Sequence, residues 1–256
     1  MRRRKYQGQC PLCGQTANLS KEDVFPTWLR NEYVERHLEE LVRPSRVILR
    51  VCVGCNNAMA EAFEHHAAPI LKRFMWTGEP ATLSEVEQTV LARWLIKTDA
   101  LLAVYRGKAE HTKQFGLSAH DEEEMLEMVR QMTADHQFVP ANAIVRIGLV
   151  DTNLLLSSMR QFRPMGALSA VGSGWFDSVM ATGLVLSQTD LFTDRGGDVK
   201  EYLRQATDRR FVTLTPSQGG PVTVPVRLDV RSIYRLRREL GHVPSNVVGD
   251  GWAALV

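Results

Sequence analysis

The chain has four cysteines in 256 residues, and they fall as two tight pairs: Cys10-Pro11-Leu12-Cys13 before Gly14, and Cys52-Val53-Gly54-Cys55 before Asn56-Asn57. Two CxxC turns offer four thiolates to one tetrahedral ion, and a borderline-soft cation such as Zn²⁺ suits that donor set. A disulfide framework is the competing reading. The paired spacing argues against it, and so does the start Met1-Arg2-Arg3-Arg4-Lys5, which leads into no apolar stretch of the kind a secretion signal carries. Thiolates held on a metal fit a reducing compartment, so a cytoplasmic protein is expected. No segment has the uninterrupted apolar length of a membrane span, which predicts no membrane partner.

A chain of this length builds either one large or two modest domains. The reading adopted has three parts: a zinc-held module over 1–75, a helical region over 76–137, and a third part over 138–256. Within the first, Pro26-Thr27-Trp28-Leu29 opens a helix toward Leu38 or Leu41, with Trp28, Leu29, Val34 and Leu38 as its apolar members. Arg46 to Val51 reads as a strand that delivers the second cysteine pair. Met59, Phe63, His66, Ile70, Leu71 and Phe74 then recur at three- and four-residue steps, a helical stripe that Pro69 should kink or divide. Ser84 followed by Glu87 has the form of a capping box ahead of a helix with Val86, Val90, Leu91, Trp94, Leu95, Leu101, Leu102 and Tyr105 on its apolar face. Asp121 to Met132 predicts another helix with acidic residues in its first turn.

Beyond Phe138 the texture is that of strands: Ala143–Leu149, Ala167–Val171, Ser178–Leu186, Phe211–Leu214 and Val222–Val226, the last marked as an edge by Pro225. A helix over Ser232–Leu240 follows. The fold class expected is α+β, with a small zinc-bound module packed on helices and a mostly antiparallel second half.

Charge is nearly balanced, Lys+Arg 31 against Asp+Glu 29, so affinity for a nucleic acid has to come from local clusters. Two exist, Arg2 to Lys5 and the set Arg227, Arg231, Arg235, Arg237 and Arg238; either also reads as a solvated tail or face. The five tryptophans, Trp28, Trp76, Trp94, Trp175 and Trp252, show no interleaving with basic residues that would define a base-stacking platform, and core packing is their default reading.

Taken in order, CPLCG, SKEDVFPTWL and VCVGCNN resemble the HNH, or ββα-metal, endonucleases in their zinc-knuckle form. There a CxxC, a Glu-His segment ending in proline and a CxxC-Asn run follow one another. The likeness is firm over the first quarter; Pro69-Ile70-Leu71 and the helix Ala92 to Thr98 extend it toward bacterial and phage HNH proteins. The resemblance implies a closed structural zinc on Cys10, Cys13, Cys52 and Cys55. It further implies a second, reactive divalent ion, Mg²⁺ or Mn²⁺, with Glu22, Asp23 and Asn56 as candidate ligands. Asn56 reads equally as a helix N-cap, and Glu22 as a solvated carboxylate.

The chain departs from the family at two places: the motif's middle Asn, of which Arg46 to Val51 contains none, and Asp23. Asp23 stands where the family has the histidine that takes a proton from the attacking water, and a carboxylate with a reference pKa of about 3.9 is a poorer base than an imidazole. Three explanations stay open: lost activity, engineered inactivation, or a rearranged site in which His65 or His66 supplies the base. His66 lies on the apolar stripe and also reads as a core residue. Lys97, inside an apolar helix, either contacts phosphate or snorkels to the surface. Catalytic candidates are therefore Asp23, Glu22 and His65. The function expected is that of an HNH-like, metal-dependent DNA endonuclease or a degenerate descendant. The alternative is a non-catalytic zinc-knuckle module that binds nucleic acid or a protein partner.

Overall fold

The computed structural model describes residues 8–37, 48–107, 118–150, 165–172, 175–193, 211–215 and 219–228. The protein is α+β. Its first part is a hairpin of β1 (Leu19–Asp23) and β2 (Ile48–Cys52) with α1 (Thr27–Val34) following β1. The strands pair antiparallel from Leu19↔Cys52 at one end to Asp23↔Ile48 at the other. The helix behind β2 comprises α2 (Val53–Met59), one π-helical stretch (Ala60–Glu64) and α3 (His65–Phe74). After β3 (Ala81–Leu83) come two long helices, α4 (Glu85–Gly107) and α5 (Ala119–Ala134).

The second half is a six-stranded sheet. β4 (Ala143–Val150), β5 (Met165–Gly172), β6 (Trp175–Thr182), β7 (Val185–Phe192) and β10 (Val226–Leu228) run in the order β10-β4-β7-β6-β5, and β8 (Val212–Thr215) pairs with β4. All its pairings are antiparallel except the short β10–β4 ladder. β9 (Val222–Val224) leaves this sheet to pair with β3.

α4 is the axis of the fold. From Leu91 to Val104 every residue is buried, because it packs on α3, α5 and the sheet strands β4, β7 and β8 at once; a helix covered on all sides has no polar stripe to spare. One contiguous apolar cluster consequently runs from Cys10 and Val51 through Leu71 and Trp94 to Ile147 and Leu191. The capping box expected at Ser84 is present: the Ser84 amide donates to Glu87 Oε2 at 2.8 Å and the Glu87 amide to Ser84 Oγ at 3.3 Å. A second box, Ser118 with Asp121, starts α5 and is additional to the one expected.

Several expectations change in the folded chain. Ser178–Leu186 is not one strand: it turns at Gly183-Leu184 between β6 and β7, where Gly183 takes φ +64. That turn docks on the helical part, with the Gly183 amide donating to the Tyr33 hydroxyl (2.6 Å) and the Leu184 amide to the Met75 carbonyl (2.7 Å). α1 stops at Val34, and His37 adopts a left-handed φ of 55°; Val34 is exposed, as is Val86 at the start of α4. Pro69 lies within α3 without dividing it. Pro225 separates β9 from β10 instead of lying within a strand. The helix expected to reach Leu38 or Leu41 thus ends short of them. The expected helix Ser232–Leu240, Arg2 to Lys5, the C-terminal arginine set (Arg227 by its side chain) and Trp252 lie outside the described residues.

Candidate metal centre and the acidic hairpin end

The four cysteine Sγ atoms lie within 4.8 Å of one another. A tetrahedral ion with Zn–S bonds of about 2.3 Å sets its sulfurs about 3.8 Å apart, so this spacing fits zinc with little adjustment. Each pair is held by local backbone geometry. In the first turn the Cys10 amide donates to Gln15 O (2.7 Å) and the Gly14 amide to Cys10 O (2.8 Å), with Gly14 at φ +76, a conformation that favours glycine. In the second, Cys52 ends β2 and caps α2, its sulfur accepting from the Cys55 amide at 3.4 Å.

That amide bond does chemical work on the sulfur. Chiefly through it, the Cys52 thiol is lowered to about 7, whereas burial, followed by the neighbouring Cys52 and Cys13 sulfurs, pushes Cys55 up. Cys13 Sγ is 3.5 Å from Cys52 Sγ. Sulfurs this close resist joint deprotonation unless a cation lies among them, and that is the donor set a structural Zn²⁺ selects. Arg130 of α5 reaches the same turn, donating from Nη1 to Pro11 O and Leu12 O at 3.4 Å each, and so ties the first knuckle to the helical layer.

Glu22 and Asp23 occupy the last two positions of β1, opposite Leu49 and Ile48, at the end of the hairpin away from the cysteines. Asn56 lies in the first turn of α2; Cys52, not Asn56, is the N-cap, so that reading of Asn56 is replaced. His65 begins α3, exposed, with Nδ1 2.9 Å from Glu61 Oε2. Among the described residues the cysteine quartet is the one place where three or more Cys, His, Asp or Glu ligand atoms converge.

The π-helical stretch explains why His66 is not a core residue. One additional residue in the turn rotates the helix beyond it, and the buried stripe becomes Met59, Phe63, Ala67, Leu71 and Phe74, leaving His66 exposed beside His136. The same rotation carries Glu64 inward. Its Oε2 accepts from Trp28 Nε1 (2.9 Å) and Trp94 Nε1 (3.0 Å), and its Oε1 accepts from Lys97 Nζ (2.6 Å). Lys97 is fully buried there and does not snorkel. Sequence reasoning passed over Glu64, although a lysine amid an apolar helix signals a buried carboxylate elsewhere in the chain.

Comparison with protein families, with curated proteins and with solved structures gives no match in any of the three. Among the described residues no helix is long and apolar enough to cross a membrane.

Proposed function

We propose that the protein is a zinc-stapled, HNH-like metal-dependent DNA endonuclease, or a weakly active or inactive descendant of one. The observation that carries this is the order β1, β2, α2 with both cysteine pairs at one end of the hairpin and Glu22-Asp23 at the other. In that arrangement zinc on Cys10, Cys13, Cys52 and Cys55 is structural and leaves no open position for substrate.

An active form needs a reactive divalent ion, Mg²⁺ or Mn²⁺, at the acidic end, with Glu22 and Asp23 as its candidate holders; Asn56, expected as a third ligand, follows Cys55 at the opposite end of the hairpin and is not one of them. Bound there, the ion would supply polarisation of the scissile phosphate. Asp23 serves such a site better as a ligand than as a base. Counting rise supports His65 as the group that replaces the family histidine. Four steps of β1 span about 13 Å, and a helix that leaves the knuckle along the hairpin covers the same length within its first nine residues or so, which brings Glu61, one turn before His65 and paired with it, level with Asp23. The bond from Trp28, at the start of α1, to Glu64 supports that course for the helix.

The second reading, a non-catalytic zinc-knuckle module binding nucleic acid or a protein partner, is favoured by Asn56 lying beside the knuckle, at the end of the hairpin opposite Glu22-Asp23. Plasmid nicking decides between them. With Mg²⁺ or Mn²⁺ the native protein should cut weakly or not at all and Asp23→His should gain activity. Equal inactivity of both favours the binding module. Vigorous cutting by the native chain that survives His65→Ala would remove His65 from the proposal.

A further inference from the structure

Folding interleaves what the sequence keeps apart. α1 carries Trp28 and Glu32, and the turn just beyond it Arg36, at successive four-residue steps, and Lys72 and Trp76 follow at the same step in and just beyond α3. Residues so spaced share one helix face. Across the two faces Lys72 Nζ lies 5.9 Å from the centre of the Trp28 ring and the Arg36 guanidinium 4.9 Å from that of Trp76. Glu32 holds the two cations in a row, with Oε1 2.9 Å from Lys72 Nζ and Oε2 2.9 Å from Arg36 Nη1.

Each indole is firmly mounted from within. Trp94 backs Trp28 at 6.0 Å, and buried Tyr33 meets Trp76 edge-on at 5.0 Å. The Trp28 N–H is fixed on Glu64. Both rings are half-buried, whereas the Lys72 and Arg36 side chains are 44% and 38% exposed. Glu32, at 8%, is the recessed member, so the outward charge of the row is positive.

We infer that this row, Trp28, Lys72, Glu32, Arg36 and Trp76, is a binding surface for single-stranded nucleic acid. With Trp28 and Trp76 partly buried beneath the two cations, an unpaired base meets the row first at the Arg36 guanidinium. Lys72 and Arg36 offer ammonium and guanidinium donors to the phosphates between them, and among the described residues Arg36 engages Glu32 through Nη1 alone. A planar guanidinium lying over an indole presents a flat surface on which a base can stack. A duplex keeps its bases paired and stacked inside and meets only the two charges. The row begins five residues beyond Asp23, so a strand bound along it leads toward the acidic hairpin end. The inference rests on the nucleic-acid side of the function proposed above and is independent of catalysis.

The test is fluorescence anisotropy of the full zinc-bound chain with a short fluorescein-labelled oligothymidine, titrated with salt, beside a duplex of equal length. The Arg36→Gln/Lys72→Gln variant keeps a hydrogen-bond donor for Glu32 while removing both charges. It should bind about tenfold or more weaker at low salt, with a salt slope shallower by about 1.4, the value for two lost single-strand phosphate contacts. The charge-preserving swap Arg36→Lys/Lys72→Arg should stay within about threefold of the parent, and Trp fluorescence of the parent should be quenched by the oligomer. Unchanged affinity and slope in the Gln variant, duplex binding equal to single-strand binding, or no binding by the parent would each overturn the inference. Oligomer binding without nicking by either the native or the Asp23→His protein sustains it while defeating the nuclease reading; nicking with an unaltered Gln variant does the reverse.

Discussion

Lys97 Nζ lies 2.6 Å from Glu64 Oε1, with the lysine side chain wholly enclosed and the carboxylate 11% exposed. Two indole N–H groups occupy the other carboxylate oxygen. Helix α4, the π-helical stretch and the start of α1 therefore meet on a single carboxylate. Such a pair contributes little net stability over an apolar replacement, but removing one member alone leaves a charge without its counterion in a low-dielectric site.

Lys97→Met should accordingly lower stability by about 3–5 kcal/mol, read as a drop in the thermal midpoint. Glu64→Gln combined with Lys97→Met should recover a large part of it, since Gln still accepts from an indole. Losses that simply add in the double variant would mean the two residues are not coupled.

The cysteine quartet, which could hold a metal ion such as zinc, is the second structural tie. Protein purified without added metal should contain one zinc ion per chain, and Cys13→Ser should lose it. Structural zinc contributes folding free energy outright, so a strong chelator should lower the thermal midpoint substantially. The loss of structure should begin in the hairpin and at the Arg130 contact with the first knuckle, measured as hydrogen-exchange protection of β1, β2 and α5. Zinc-free protein with full protection of the hairpin would contradict the four-sulfur site.

Gly183 is required for two separate reasons. Its φ of +64 disfavours any residue with a side chain, and a Cβ built there would lie 2.5 Å from the Met75 carbonyl oxygen. Because that oxygen already accepts from Leu184, it cannot withdraw without breaking the bond that docks the β6–β7 hairpin. Gly183→Ala should cost at least about 2 kcal/mol, by denaturant titration, and a neutral substitution would show that the hairpin docks elsewhere.

What the sequence made legible was local. The CxxC pairs, the Ser84–Glu87 box and the strand at Ala143–Leu149 each rest on residues within a few positions of one another. The misses come from effects that the hydrophobic pattern of a window does not show. One residue added to a turn exchanged His66 for Ala67 on the buried face, and a glycine inside an apolar run turned the expected Ser178–Leu186 strand into a hairpin. Asp23 and Asn56 were visible as candidates for the same reason as the cysteines, by motif order. Glu64 was not, because its partners come from Trp28, Trp94 and Lys97, far apart along the chain. The interleaved indoles and cations of α1 and α3 are hidden in the sequence on the same ground.

The Arg73–Glu87 pair gives a pH test of how α3 is fastened to α4. Arg73 Nη1 lies 2.6 Å from Glu87 Oε1, and Arg73, then the Ser84 amide, hold the Glu87 carboxyl below its ordinary value of 4.5. A carboxyl lowered in the folded state binds its proton more readily when unfolded, so its contribution to stability is complete above about 4.5 and disappears as pH falls through the lower folded value. The Arg73 side chain is 52% exposed, which limits the contribution to under about 1 kcal/mol. Glu87→Gln should therefore lower the thermal midpoint slightly and by a constant amount from pH 6 to 8. Below about pH 4.5 the difference from the parent should shrink toward zero, and high salt should reduce it at neutral pH. A difference that instead persists undiminished on acidification would mean that Glu87 acts independently of its charge.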